Sequence, residues 1–158
     1  MRWTLLAVLA ATAVAGPWAR AQTPSAAVLE SRLLAAKSLK CTFTQLATGT
    51  WTADGATQGN TKAVTLAVQF TEINADESTA RMLSNFGTYD MIVRVMAGNM
   101  HFIQPLRSGA LYTTTVFAKE SRPGKFKAVH SRHEYVEIVL PGFTARPEQY
   151  YGECEVAQ

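Results

Sequence analysis

The strongest constraint on the fold is a two-residue alternation of apolar and polar side chains after the first quarter of the chain. It is clearest in residues 63–70 and 89–96, where large apolar side chains occupy every second position. Successive side chains of a β-strand point to opposite faces, so this period predicts strands with one buried face. Turn residues separate the strands, as at Gly98-Asn99, Ser108-Gly109 and Pro123-Gly124, which favours hairpins.

The remaining chain predicts six further strands and one helix. The strands are expected in residues 41–51, 79–84, 100–104, 111–118, 125–135 and 150–156. Ser25 to Lys40 has an apolar stripe and no Gly or Pro, with Ser25 as a cap, and predicts a helix. No helix intervenes between the strands, so antiparallel neighbours are favoured. The predicted fold is all-β: an antiparallel closed or nearly closed barrel of about eight strands with an N-terminal helix.

The first 21 residues predict export. Met1-Arg2 is a positive start, residues 3–15 are almost all apolar, and Ala19-Arg20-Ala21 places small residues where a signal peptidase reads. We expect cleavage after Ala21, which leaves residues 22–158 as a single domain. A membrane anchor is the alternative, but the apolar run is shorter than the ~20 residues that span a bilayer. The alanine-rich signal looks bacterial, so the expected location is the periplasm or the medium, without a stable membrane anchor.

Removal of the signal peptide changes the charge of the chain. The full sequence has 15 Lys and Arg against 12 Asp and Glu, a formal charge of +3. Arg2 and Arg20 leave with the signal peptide, so the mature chain is close to +1. A nearly neutral chain lacks the main support for nucleic acid as a partner. The basic residues around Pro123-Gly124 are interpreted as a solvated loop.

The two cysteines lie in the first and last predicted strands, at Cys41 and Cys154. In an oxidising compartment such a pair predicts one disulfide, with two buried free thiols as the alternative. The bond would close a very long loop, for which the chain-entropy model gives roughly 4 to 5 kcal/mol of stabilisation. It would also bring the two ends of the sheet together, as a closed sheet requires.

Three segments resemble known families. Gly49-Thr50-Trp51 resembles the Gly-x-Trp signature of the lipocalins, which lies on their first barrel strand, whereas Thr88-Tyr89-Asp90 departs from their Thr-Asp-Tyr signature. Residues 33–45 are similar to the start of the periplasmic lipoprotein carriers, which hold acyl chains in a half-open barrel under a helix. Residues 131–133 and 149–154 resemble the ending of small exported bacterial proteins with no assigned activity. The first two resemblances imply a barrel that holds a small apolar ligand.

A set of large side chains on the predicted strands forms the candidate lining of a ligand cavity. They are Phe43, Leu66, Phe70, Tyr89, Met91, Phe102 and Phe117. An eight-stranded barrel either fills its interior with side chains or holds one small ligand, and these residues suit both. The four methionines between residues 82 and 100 favour core filling, with an adaptable apolar binding surface as the alternative. Arg94 is interpreted as facing solvent, and contact with an anionic head group is the alternative.

No catalytic residue, metal site or cofactor is predicted. His130 and His133 are three residues apart in a strand, so they point to opposite faces and are interpreted as surface histidines. Residues 131–134 include the residue types of a nucleophile and a base, but no hydrolase motif surrounds them. Glu134 and Glu137 also face apart in an extended chain.

These observations lead to three hypotheses. The first is an exported, non-enzymatic protein that binds a small apolar or amphipathic, lipid-like molecule. The second is a cell-envelope structural or protein-interaction module with a filled core, marked by an exposed patch around Tyr150 and Tyr151. The third is an enzyme, which requires His133 or Glu134 to converge with other polar residues in a cleft. The sequence leaves the oligomeric state and the identity of any ligand open.

Overall fold

The structure of the protein, a computed structural model, describes residues 24–134 and 146–157. The predicted signal peptide with its cleavage site after Ala21 lies outside the described residues, as do Tyr135 and Glu137. One helix and eight strands follow in chain order: α1 (Ala26–Leu34), β1 (Leu39–Trp51), β2 (Thr57–Asn74), β3 (Thr79–Ser84), β4 (Gly87–Met96), β5 (Asn99–Pro105), β6 (Leu111–Arg122), β7 (Lys125–His133) and β8 (Glu148–Val156).

The eight strands form one antiparallel sheet that closes in a ring. Each strand pairs with its neighbours in the chain, and β1 also pairs with β8. The predicted all-β fold of eight strands with an N-terminal helix is therefore confirmed. Since connections between chain neighbours alternate between the two ends of such a ring, hairpins β2–β3, β4–β5 and β6–β7 share one end.

The helix is shorter than the predicted Ser25 to Lys40. Ser25 caps its start, accepting a hydrogen bond from Val28 N at 3.4 Å, but α1 ends at Leu34. The chain after the helix belongs to the sheet, because Leu39 and Lys40 already pair with both β2 and β8. Sheet pairing on both sides thus overrides the helical pattern of these residues.

Side chains of the helix close the end of the ring that carries hairpins β4–β5 and β6–β7, which we call the helix end. Leu29 and Leu33 are buried in the same core as the inward-facing residues of the strands. Arg32 Nη1 lies 2.8 Å from Glu120 Oε1 on β6, and its guanidinium lies 5.3 Å from the centre of the Phe126 ring on β7. The opposite end, which carries hairpins β1–β2, β3–β4 and β5–β6, is called the open end.

Aromatic side chains fill the middle of the barrel. Phe43, Phe70, Phe102 and Phe126 are fully buried. The rings of Phe70 and Phe102 stack with centroids 3.9 Å apart and planes inclined by 13°. The interior next to the helix end is therefore filled by packed side chains.

A disulfide joins the two strands that close the ring. Cys41 and Cys154 are bonded, and they are direct partners in the register of β1 against β8. Both are buried in the core. The predicted disulfide is present, and it lies at the point where the sheet closes.

Strand β2 extends far beyond its neighbour β3. The pairing of β3 with β2 reaches only from Asn74 to Gln69. Residues 57–68 of β2 pair with β1 on one side, and on the other side they have no strand partner within the described chain. The β1–β2 hairpin consequently projects from the open end with one unpaired edge, which we call the β2 edge.

Gly152 permits the closest approach between β1 and β8. It lies opposite Phe43, next to an irregularity in the register between Phe43 and Gln45. A Cβ atom at position 152 would overlap the carbonyl oxygen of Thr42 and would lie 2.6 Å from the Cα of Phe43. Both contacts are with backbone, so no rotation of a side chain can relieve them.

We expect Gly152→Ala to lower the free energy of unfolding by about 1–3 kcal/mol, because the added methyl group forces β1 and β8 apart. Urea unfolding of the oxidised protein measures the change. Gly49→Ala is the matched control on β1, since a Cβ there meets nothing within 4 Å. It should not destabilise the protein, because Gly is less favourable than Ala inside a strand. Equal stability of the two variants would contradict the importance of this contact.

Candidate functional site

A cavity of about 430 Å³ lies at the open end of the barrel. This volume falls within the ~300–1,000 Å³ of typical small-molecule sites. The next inward layer of the core, which includes the Phe70–Phe102 stack, lies between the cavity and the helix end. The cavity is therefore a cup with a solid floor.

One wall of the cavity is mainly apolar and is formed by β2, β3, β4 and the β3–β4 turn. Its principal side chains are Leu66, Val68, Met82, Phe86 and Tyr89. Phe86 is 76% exposed and stands at the rim. These residues, which we call the apolar wall, follow the predicted alternation of inward-facing positions on β2 and β4.

The opposite wall is polar and is formed by β5, β6, β7 and the residue that follows β7. Its members, which we call the polar wall, are Gln104, Tyr112, His130, Arg132 and Glu134. His130, Arg132 and Glu134 occupy alternate positions at the end of β7 and just beyond it, so all three side chains lie on the inner face of the strand. The cavity is thus amphipathic: the apolar wall lines one side of the ring and the polar wall lines the opposite side.

The histidine of the polar wall is buried and neutral. His130 Nδ1 lies 2.8 Å from Thr114 Oγ1, and Arg132 Nε donates to His130 Nε2 at 3.3 Å. A guanidinium can only donate, so Nε2 is the acceptor and Nδ1 carries the proton that is donated to Thr114. Burial, with the nearby charge of Arg132, lowers the pKa of His130 to about 3.

Two tyrosines hold the charged groups of the cavity in place. The guanidinium of Arg132 lies 5.4 Å from the ring centre of Tyr112 and 5.1 Å from that of Tyr150. The Tyr112 hydroxyl donates to Glu134 Oε2 at 2.7 Å, and the Tyr150 hydroxyl donates to Glu148 Oε2. Burial and these carboxylates raise the pKa of each tyrosine to about 12. The imidazole and the two phenols therefore keep one protonation state near neutral pH.

Gln104 stands out from the other polar residues of the cavity. Its side chain is inward-facing on β5 and only 6% exposed. Its Oε1 atom is buried and accepts no hydrogen bond from any group in residues 24–134 or 146–157. An unmet acceptor of this kind costs about 1–3 kcal/mol of desolvation free energy.

The predicted lining residues fall into three groups. Leu66 and Tyr89 line the cavity, whereas Phe43, Phe70, Met91 and Phe102 belong to the packed core below it. The expectation that Phe117 faces the interior is wrong. Phe117 is half-buried on the face of β6 opposite to the buried Val116, because it is out of phase with the inward positions of that strand.

The predictions for histidines and tyrosines are partly wrong. His130 is not a surface residue, since it is only 2% exposed, whereas His133 is exposed on the other face of β7 as predicted. Tyr150 is buried and Tyr151 is 44% exposed, so the two do not form one surface patch. Arg94 is exposed, as predicted.

The residues considered for catalysis are divided between the two faces of β7. Glu134 lines the cavity and contacts Tyr112, but His133 faces outward. Ser131 is adjacent to His130 in sequence and lies on the opposite face of the strand. Ser131 and His133 therefore share the outer face of β7, whereas the carboxylate of Glu134 lies on the inner face, so the three residue types do not converge in one cleft.

The sequence of β7 contains a signal for the polar wall. From Phe126, every second residue of β7 points inward, so the interior of this strand reads Phe126, Ala128, His130, Arg132 and then Glu134. The change from apolar to polar along one face indicates an inner wall that becomes polar towards the open end.

No family of known proteins provides a function for this arrangement. Comparison with protein-family models, with curated proteins and with solved structures finds no match to the chain. In the described residues, no cluster of three or more His, Cys, Asp or Glu side chains is suited to holding a metal ion. No helix in this part of the chain is long and apolar enough to cross a membrane. The lipocalin resemblance stays a prediction.

We expect stability to decline in mild acid because of His130. An unfolded histidine takes up a proton near pH 6.5, but the folded pKa is about 3. The stability present above pH 6.5 is thus lost progressively as the pH falls towards 3, by at most about 1.4 kcal/mol per pH unit. Urea unfolding across this range gives the slope of the free energy of unfolding against pH, which His130→Gln should reduce by the equivalent of about one proton; His133→Gln, on the exposed outer face, is the matched control. An unaltered slope in His130→Gln would show that another group is responsible.

We also expect Gln104→Leu to raise the free energy of unfolding of the ligand-free protein by about 1 kcal/mol, because it replaces an unmet buried acceptor by apolar atoms of similar volume. Urea unfolding gives the change. Gln58→Leu makes the same chemical change at an exposed position of the β1–β2 hairpin, and it should stay within about 0.5 kcal/mol of the parent protein. Destabilisation by Gln104→Leu would mean that the amide is already satisfied.

Proposed function

We propose that this protein is an exported, non-enzymatic binding protein for a small amphipathic, lipid-like molecule. The observation that carries the proposal is the amphipathic cavity at the open end of the barrel. A barrel that served only as a solid scaffold would have no use for a cavity of about 430 Å³ with an apolar wall facing a polar one.

The apolar wall supports a hydrocarbon portion in the ligand. Leu66, Val68 and Met82 present aliphatic surface to the cavity, and each Å² of apolar surface removed from water stabilises a complex by roughly 25 cal/mol before the costs of association. Methionine adapts its shape to irregular apolar partners. The exposed ring of Phe86 at the rim extends this surface towards solvent.

The chemistry of the polar wall supports binding rather than catalysis. A general acid or base works best with a pKa near the working pH, whereas the pKa of His130 is about 3 and that of Tyr112 about 12. The wall holds fixed donors and acceptors instead. Such a set of convergent polar groups beside apolar surface is typical of sites that orient a ligand.

Export is supported by two independent features. The first 21 residues have the three-part pattern of a signal peptide. The Cys41–Cys154 disulfide suits an oxidising compartment such as the periplasm or the medium.

We expect the oxidised protein to bind a neutral fluorescent apolar probe such as N-phenylnaphthylamine, because the apolar wall removes its rings from water. Leu66→Trp should weaken this binding at least tenfold, since the indole fills the cavity. Thr65→Trp is the matched control: Thr65 is the preceding residue of β2 and is exposed on the outer face. Fluorescence titration measures the affinities, and circular dichroism with a thiol assay checks that each variant is folded and oxidised.

A second plugging variant keeps the test decisive if Leu66→Trp does not fold. Ser84→Trp approaches the same cavity from β3 and should also weaken probe binding. Mass spectrometry of protein purified from an exporting host should detect a bound amphiphile that the plugged variants lack. If neither the probe nor a co-purified molecule binds the parent protein, the ligand-binding proposal fails and the envelope module with a filled core replaces it.

A further inference from the structure

We infer that the ligand carries an uncharged polar group with a hydrogen-bond donor, such as a hydroxyl, that is recognised by Gln104. This inference rests on the proposed function, since it concerns the chemistry of the ligand in the same cavity. It starts from the one buried side-chain nitrogen or oxygen atom of the described residues that has no hydrogen-bond partner, Gln104 Oε1.

Gln104 lies where the packed core meets the cavity. On β5 it follows the fully buried Phe102 by two positions, and it pairs in register with Tyr112 of the polar wall. Its side chain contributes to the cavity lining. Oε1 is itself buried in the ligand-free protein, so recognition requires that the amide rotate about its soft terminal torsion to present Oε1 to the cavity. A donor on a molecule in the cavity then meets the acceptor that the protein itself does not satisfy.

The neighbouring polar groups already have partners. His130 uses its two ring nitrogens with Thr114 and Arg132. The Tyr112 hydroxyl is used with Glu134. Gln104 Oε1 is therefore the acceptor in this wall that a ligand can satisfy. A ligand that donates to it gains a hydrogen bond in addition to its apolar contacts.

The charges around the cavity favour an uncharged polar group. Arg132 faces Glu148 across the β7–β8 register, and Glu134 follows on the same inner face. The two charged side chains that line the cavity, Arg132 and Glu134, have opposite signs, so a charged head group of either sign meets one group of like charge. Removing a charge from water is costly unless it is well paired. A hydroxyl avoids both repulsions and still donates to Gln104.

The test compares decanol with decyl methyl ether, which keeps the apolar chain and an oxygen acceptor but lacks the donor. Displacement of the fluorescent probe should show that the parent protein prefers decanol by about tenfold or more. In Gln104→Leu the two ligands should bind with nearly equal affinity. Gln58→Leu, in the exposed part of the β1–β2 hairpin, should retain the preference.

Decanoate and decylamine complete the series with charged ends on the same chain. Both should bind more weakly than decanol at neutral pH. Tighter binding of either one would overturn the assignment of an uncharged group, and the sign of the preferred charge would identify whether Arg132 or Glu134 dominates.

The outcomes separate this inference from the proposed function. If decanol and its ether displace the probe equally from the parent protein, the inference is wrong while the binding function stands. If the preference for decanol survives in Gln104→Leu, another group is the acceptor and the role of Gln104 is excluded. If none of the four alkyl ligands displaces a bound probe, this inference is wrong; the proposed function itself fails only if the probe does not bind and no amphiphile co-purifies with the protein.

Discussion

Between β1 and β8, the Cys41–Cys154 disulfide and the backbone contact at Gly152 close the sheet into a ring. The other strand pairs are chain neighbours, whereas these two strands lie at opposite ends of the domain, and bringing distant segments together costs the most conformational entropy. The disulfide reduces that cost because it restricts the conformations that the unfolded chain can adopt. Once the ring is closed, one face of every strand becomes interior, and the existence of a cavity depends on this closure.

The interior changes its character along the barrel axis. Near the helix end, Leu33 and the stacked rings of Phe70 and Phe102 give a dry, packed core. Towards the open end, β2 to β4 remain largely apolar, but β5 to β7 contribute a network centred on His130 and Arg132. Most hydrogen bonds of this network are made within the protein, so the polar wall is stable without a ligand. Gln104 is the exception, since its Oε1 atom has no hydrogen-bond partner within the described residues, and the proposed recognition of the ligand rests on this atom.

Sequence periodicity predicted much of the fold because a two-residue repeat has a direct geometric meaning. It could not predict the extent of β2 beyond residues 63–70, since residues 57–62 are polar on both faces and show no alternation. The loss of helix after Leu34 came from pairing with distant strands, which a local pattern does not contain. The site was harder to predict than the fold. The predicted orientations of Phe117 and His130 were wrong because each depends on which face of its strand points into the ring. The unmet acceptor at Gln104 arises only from packing and has no signal in the sequence.

The unpaired β2 edge also affects access to the cavity. The pairing of β1 with β8 is reinforced by a disulfide, whereas the pairing of β2 with β3 ends at Gln69. Ala67, an exposed residue of β2, reaches the cavity lining because no described strand covers this side. Within the described residues, the cup is therefore open along this side as well as at its mouth. Under the proposed function, a hydrocarbon tail too long for the apolar wall leaves through this side, so the volume of the cup limits the size of the head group and not the length of the chain attached to it.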